Sequence, residues 1–124
     1  HEIGRLINKI TAESQIIGGI IQGLSTALFE ERIMDDTTGN LANPNLRDYK
    51  IATSQDIPEI IPLVVDMVDP RINNLGTKGV GEPPRIPPAG AIANAVYNAI
   101  GVHVREIPMT PDKVLKALKR KEVG

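Results

Sequence analysis

Apolar positions recur with a helical period in three parts of the chain. In TAESQIIGGIIQGLSTALFEER, aliphatic residues return every three or four positions from Ile17 to Leu28, which predicts an amphipathic helix. Near the end of the chain, Thr110 is suited to cap a helix that begins at Pro111. Between these segments, an alanine-rich stretch stops at Gly101, a residue typical of helix ends. The predicted helices cover residues 11–32, 89–100 and 110–121.

Two other segments have the composition of β-strands. Residues 60–68 are rich in valine and isoleucine, which predicts a buried strand, and Pro58 and Pro62 confine its start to a sheet edge or an irregular entry. Residues 102–109 read VHVREIPM and alternate apolar with polar positions, which predicts a second short strand. We therefore expect an α+β fold, in which three helices pack on a small mixed sheet and long loops rich in proline and glycine connect them.

The composition indicates a segment that packs against a larger body. The 124 residues suffice for one domain, but they include only three aromatic residues, with ten prolines and eleven glycines. Such a chain must build an aliphatic core while much of its backbone stays irregular, which is unusual for a self-sufficient small domain. We therefore expect the sequence to be a piece of a longer protein.

Charge and residue types exclude several classes of function. A net charge of −1 provides no basic surface for nucleic acid, and no apolar run is long enough to cross a membrane. Cysteine is absent, so disulfides, thiol nucleophiles and thiolate-bound clusters are excluded. The two histidines, His1 and His103, lie far apart outside any metal-binding motif. We expect no metal ligand from this chain.

Three glycines interrupt the interior of the first predicted helix. Gly18, Gly19 and Gly23 each cost about 1 kcal/mol relative to alanine in such a position. One explanation is close packing of this helix against another helix. The other is close approach of the backbone to a ligand. The sequence leaves both explanations open.

The stretch KGVGEPPRIPP places one carboxylate, Glu82, between glycines and prolines. Glycines permit close backbone approach, and prolines fix φ and remove two N–H donors, so a stiff loop would present Glu82 in one direction. A general base needs such fixed geometry. The same pattern also suits a solvated carboxylate, or one that complements the dipole of the following helix.

Several stretches together resemble a known family. KGVGEPP is followed by AIANAVYNAIGVHVREIPMTP and is preceded, in the same order as in that family, by GRLIN, AESQIIGGIIQGLSTALFEE and NPNLRDYKIATSQDIPEI. Over nearly its whole length the chain resembles the C-terminal end of the molybdenum-binding subunit of the xanthine dehydrogenase/aldehyde oxidase family. Residues 1–124 are therefore expected to be a C-terminal segment of a molybdopterin-binding domain.

The resemblance implies roles for individual residues. Glu82 matches the catalytic base of the family, which oxidises aldehydes or N-heterocycles with oxygen derived from water. Gly81 matches the position that lies against the metal centre, and Gln15 matches a glutamine that contacts the molybdopterin cofactor. Gln22 matches another recurrent glutamine, which we interpret as structural.

The resemblance also implies partners. These are the remainder of the molybdenum subunit, iron–sulfur and FAD subunits or domains, and a small-molecule substrate, all in the cytoplasm and without nucleic acid or membrane. Most cofactor contacts would come from outside these residues, so the chain alone should be inactive. The cofactor is molybdopterin, and its cytosine dinucleotide form is left open. The alternative is a stand-alone interaction or scaffold fragment that keeps the family fold without its chemistry.

Overall fold

Three α-helices form the regular part of the protein. The computed structural model describes residues 1–123, with side chains through Arg120. The helices are α1 (Lys9–Leu28), α2 (Pro87–Ile100) and α3 (Pro111–Val123), and a 3₁₀ turn (Pro83–Arg85) precedes α2. The three predicted helices are therefore confirmed, with shifts at their ends.

The first helix begins earlier and ends earlier than predicted. Its N-cap is Asn8, whose side-chain oxygen accepts a hydrogen bond from the Thr11 N–H at 3.2 Å, so the helix begins at Lys9 and not at Thr11. It ends at Leu28, four residues before the predicted end at Arg32. Asparagine is as good a cap as serine or threonine, and several such residues occur near the start of this helix. The sequence pattern alone could not choose among them.

The second helix ends as the sequence predicts. Gly101 adopts the left-handed conformation, with φ of 69°, and its N–H donates to the Tyr97 carbonyl oxygen at 2.7 Å. Glycine takes this conformation without the steric penalty of a side chain. Pro87 and Pro88 start the same helix, where their missing N–H groups would have no helical partner.

The predicted sheet is wrong. No β-strand forms within residues 1–123, so the α+β fold with a small mixed sheet is not found. Instead, segments in the described part of the chain meet at isolated bridges, which pair Glu2 with Val65, Gly4 with Thr77 and Met34 with Leu41. The connections between helices are long and irregular, as the proline and glycine content predicts.

The segment 60–68 shows why the strand prediction failed. It is extended and touches the N-terminus along one edge, where the Val65 N–H donates to the His1 carbonyl oxygen at 2.9 Å. Its outward side chains are exposed, with Ile61 at 72 % and Leu63 at 76 %. β-branched residues favour a strand mainly because they pack well against neighbouring strands. The described part of this chain places no such strands beside residues 60–68.

The core is small and lies along α1. The buried apolar side chains among the described residues are Ile3, Ala12, Ile16, Leu24, Ala27 and Met109. The solvent-accessible surface is 9,023 Å², whereas a compact monomer of 13.4 kDa exposes about 6,500 Å². This excess surface agrees with the expectation that the chain packs against a larger body.

Candidate functional site

The loop that carries Glu82 is fixed at its start by the N-terminal segment. The Lys78 N–H donates to the Ile3 carbonyl oxygen, and the Arg5 N–H donates to the Gly76 carbonyl oxygen, each at 2.7 Å. These two backbone hydrogen bonds place residues 76–78 beside residues 3–5. The chain thus enters the loop from a defined position.

Two glycines make this contact between backbones possible. Gly4 and Gly76 have φ of 68° and 67°, values that favour glycine. A Cβ on Gly4 would overlap the Gly76 carbonyl oxygen and lie 2.9 Å from the Thr77 Cα, and one on Gly76 would lie 2.6 Å from the Val68 Cγ1. Gly4 lies within the GRLIN stretch, and Gly76 lies two residues before the KGVGEPP stretch. Neither residue lies in a pattern that reveals a long-range contact.

Ion pairs reinforce the same junction. The Lys78 ammonium donates a hydrogen bond to the Glu2 carboxylate and lies 3.7 Å from an Asp69 carboxylate oxygen. The hydrogen bond from Lys78, with a second from the Gly4 N–H, lowers the pKa of Glu2. The pKa of Lys78 is raised, chiefly by its hydrogen bond to Glu2. Lys78 therefore neutralises the acidic side chains beside the start of the loop.

The loop leaves along α1, on the face that carries two of the three helix glycines. A Cβ on Gly19 would lie 2.9 Å from the Pro84 Cβ, and one on Gly23 would lie 2.8 Å from Pro88. A Cβ on Gly18 would meet no described atom within 4 Å. Close packing therefore accounts for Gly19 and Gly23, and the partners are the 3₁₀ turn and the first turn of α2.

One contact joins residues 76–78 to residues 3–5, and the other joins the 3₁₀ turn and the start of α2 to α1. The three predicted site residues, Gln15, Gly81 and Glu82, lie between these two contacts. A Cβ on Gly81 would lie 3.8 Å from the side-chain oxygen of Gln15, and no other described atom outside its neighbours comes within 4 Å. All three residues are exposed in this chain. The structure therefore brings Gln15 and Gly81 together, although they are 66 positions apart in the sequence, and places Glu82 directly beside them.

Glu82 occupies the N-cap position of the 3₁₀ turn. Its carbonyl oxygen accepts a hydrogen bond from the Arg85 N–H at 2.8 Å, but its side chain makes no capping hydrogen bond with the turn. A capping role therefore does not account for this carboxylate. Its backbone is held while its side chain stays available to a ligand.

A groove of about 250 Å³ lies next to Gln15. Its polar lining residues are Arg5, Asn8, Thr11, Gln15 and Lys78, and its apolar ones are Ile3, Ile7, Ala12 and Val80. Side-chain amides provide both donors and acceptors, so Gln15 suits the mixed polar edge of a ring system. The uncovered Gly81 backbone leaves room beside it. The polar lining and the bare Gly81 backbone would fit a polar cofactor, and the groove adjoins the site through Gln15, since neither Gly81 nor Glu82 lines it.

Other polar residues lie outside this arrangement of Gln15, Gly81 and Glu82. The Asp66 carboxylate accepts a hydrogen bond from the Leu6 N–H at 3.1 Å, and the His103 ring stacks on Tyr97 with centroids 4.1 Å apart. Gln22 and Arg85 are exposed in this chain. Among the side chains described, those of residues 1–120, no group of three or more His, Asp and Glu is placed to hold a metal ion. None of the helices described there is long and apolar enough to cross a membrane.

Comparison with known sequences identifies relatives for nearly the whole chain. The sequence model of a family described as a molybdopterin cofactor-binding domain matches residues 1–58. The xanthine dehydrogenase molybdenum-binding subunit of Escherichia coli O157:H7 is 43 % identical over 114 residues, which cover 92 % of this chain and 15 % of that protein. The aldehyde oxidoreductase molybdenum-binding subunit of Escherichia coli K12 is 42 % identical over 115 residues, or 93 % of this chain and 16 % of that protein.

Solved structures show the same similarity in three dimensions. Quinoline 2-oxidoreductase from Pseudomonas putida 86 superposes with a TM-score of 0.85 and 33 % identity, covering 95 % of this chain and 15 % of that one. Aldehyde oxidoreductase from Desulfovibrio gigas gives a TM-score of 0.82 and 32 % identity, covering 95 % and 12 %. The chain thus spans about one sixth or less of the length of these relatives.

Proposed function

Because this chain belongs to the xanthine dehydrogenase/aldehyde oxidase family of molybdenum-binding subunits, we propose that it forms part of a molybdenum hydroxylase. Such an enzyme oxidises an aldehyde or an N-heterocycle with oxygen taken from water. In this proposal, the chain supplies the general base and part of the cofactor wall. It is inactive without the rest of the protein.

Each of the three site residues has a distinct task. The molybdenum cofactor, when bound, supplies the redox chemistry that the amino acids themselves lack. Gln15 holds the cofactor through its side-chain amide, and Gly81 leaves the space that a Cβ would fill. The Glu82 carboxylate accepts a proton at one of its oxygens while the substrate is oxidised. The stiff loop keeps that oxygen in one position.

The main support for this proposal is that the Gln15 side chain lies close to Gly81 and that Glu82, the next residue, is exposed. The loop is tied to residues 3–5 at one end and lies on α1 at the other. Backbone contacts on both sides of Glu82 fix the point from which its carboxylate extends, which favours the defined geometry that general-base catalysis requires. A carboxylate that only improves solubility would need neither attachment.

The test is Glu82→Gln in the full-length protein with its cofactor. The amide keeps the size of the side chain but cannot accept the proton, so kcat should fall by at least about 10²-fold while the molybdenum content stays unchanged. Glu59→Gln is the matched control, because Glu59 is an exposed glutamate outside the site. Wild-type turnover in Glu82→Gln would contradict the proposal.

The same proposal includes the partners and the form of the cofactor. The exposed apolar residues of 60–68 are covered by the remainder of the molybdenum subunit, since this chain matches only about 15 % of its relatives' length. Iron–sulfur and FAD subunits or domains, a cytoplasmic location and the cytosine dinucleotide form belong to this proposal as finer points. Native mass spectrometry of the isolated complex measures its subunits and the cofactor mass together. A bare 13.4 kDa species would instead favour a stand-alone scaffold.

A further inference from the structure

Two glycines of α1 face two prolines that follow Glu82. Gly19 and Gly23 are four positions apart, so they lie on one face of the helix, and Pro84 and Pro88 are also four apart. All four residues are buried, although the loop between Gly79 and Glu82 is largely exposed. The buried contacts are thus concentrated where the loop rests on the helix.

The contact at Gly19 includes backbone on both sides of Glu82. A Cβ on Gly19 would lie 2.9 Å from the Pro84 Cβ, 3.2 Å from the Arg85 nitrogen and 3.3 Å from the Gly81 oxygen. Gly81 precedes Glu82 directly, and the Arg85 N–H donates to the Glu82 carbonyl oxygen at 2.8 Å. The absence of a side chain at Gly19 therefore sets how deeply both sides of Glu82 sit on α1.

The contact at Gly23 fixes the next turn in the same way. A Cβ there would lie 2.7 Å from the Arg85 carbonyl oxygen and 2.8 Å from two atoms of Pro88. Gly18 provides the contrast within the same helix, since a Cβ at that position meets no described atom within 4 Å. Helix propensity cannot explain the difference, because glycine is unfavourable at all three positions.

We propose that Gly19, supported by Gly23, is a positioning residue that sets the location of the Glu82 carboxylate. This inference rests on the proposed function of Glu82. Carbon atoms in contact prefer separations of about 3.5–4.0 Å, so an added Cβ at 2.9 Å from Pro84 would push the loop away by about 0.5–1 Å. A displacement of about 1 Å in a reacting group can reduce the rate about 10²-fold.

The experiment compares Gly19→Ala with Gly18→Ala in the full-length enzyme with its cofactor. For Gly19→Ala we expect kcat to fall about 10- to 100-fold, with KM, molybdenum content and Tm close to those of the wild type. A crystal structure of the same variant should show residues 81–85 displaced from α1. Gly18→Ala should keep the wild-type kcat, because its methyl group finds open space.

Three results would overturn the inference. One is a kcat of Gly19→Ala within twofold of the wild type. Another is a loss of kcat that only follows a loss of molybdenum or a fall in Tm, which indicates a structural role. The third is an equal loss in Gly18→Ala. Glu82→Gln separates this from the proposed function: if that variant is impaired and Gly19→Ala is not, only the positioning role fails, whereas full activity of Glu82→Gln refutes the base itself.

Discussion

Helix α1 and the extended segment 60–68 are both rich in aliphatic residues, yet the chain buries only one of them. In α1, Ile16 is 4 % exposed and Leu24 is 8 % exposed. In the extended segment, Leu63 is 76 % exposed and Met67 is 63 % exposed. Apolar sequence therefore identifies residues that need a partner, but it does not say whether that partner lies in the same chain.

The difference follows from where the partners come from. The loop after Glu82 and the first turn of α2 lie against α1, so the chain completes that contact by itself. The extended segment meets the N-terminal residues along one edge, for example where the His1 amino group donates to the Leu63 carbonyl oxygen at 2.7 Å, and its last residue, Val68, lies beside Gly76. The region around the site is thus built by this chain, whereas the side chains of the extended segment stay largely exposed, in line with the proposal that the rest of the subunit covers them.

The largest effect is expected at Gly4, where the N-terminal segment joins these two regions. Gly4→Ala adds a left-handed backbone cost and an overlap with the Gly76 carbonyl oxygen, together about 2–5 kcal/mol of lost stability. Chemical denaturation of the full-length protein measures this loss.

Gly39→Ala is the matched control for that variant. Gly39 has nearly the same φ, 70°, but a Cβ there meets no described atom within 4 Å, so it reports the backbone cost alone, about 1–2 kcal/mol. Equal losses in the two variants would mean that the packing of residues 3–5 against 76–78 contributes nothing.

An intermediate effect is expected at Leu63. If the remainder of the subunit covers this side chain, Leu63→Ala should destabilise the full-length protein by about 1.5–3 kcal/mol, because it removes buried apolar surface. Denaturation of Leu24→Ala gives the reference for a leucine buried within this chain. A change below about 0.5 kcal/mol at Leu63 would show that the segment stays exposed in the full-length protein as well. The difference in burial between α1 and residues 60–68 would then be a property of the complete protein.

The smallest effect is expected from the ion pair at the loop start. The pKa of Glu2 is lowered from its usual value of 4.5, so the carboxylate adds stability above that pH and loses it as the pH falls further. The pKa of Lys78 is raised from 10.5, so its contribution is present below that pH and is lost at higher pH. The difference in unfolding free energy between wild type and Glu2→Gln should therefore be larger at pH 7 than at pH 3. A difference that is the same at both pH values would exclude this ion pair as a stabilising contact.

Local signals in the sequence predicted the helices, because capping residues and periodicity act over a few neighbouring positions. Gly101 and Pro111 marked helix ends correctly. The sheet prediction failed because residues 60–68 pair with the described part of the chain only at an isolated bridge between Val65 and Glu2. The pairing of Gly4 with Gly76 was also beyond the sequence, since nothing local links positions 72 residues apart.

The candidate site was only partly predictable in the same sense. The loop around Glu82 stood out through its glycines and prolines, and the family resemblance identified Gln15 and Gly81. The close contact between Gly19 and Pro84 was not evident from the sequence, because a glycine in a helix interior can contact a helix, a loop or a ligand. The structure distinguishes these cases through the atoms that a Cβ would meet.

The most direct test of the central claim is a crystal structure of the full-length protein with its molybdenum cofactor bound. The account predicts that the Gln15 amide contacts the cofactor, that the Gly81 backbone lies against the metal centre and that the Glu82 carboxylate faces it. A structure in which other polypeptide covers Glu82, or in which the cofactor lies away from Gln15 and Gly81, would contradict the account.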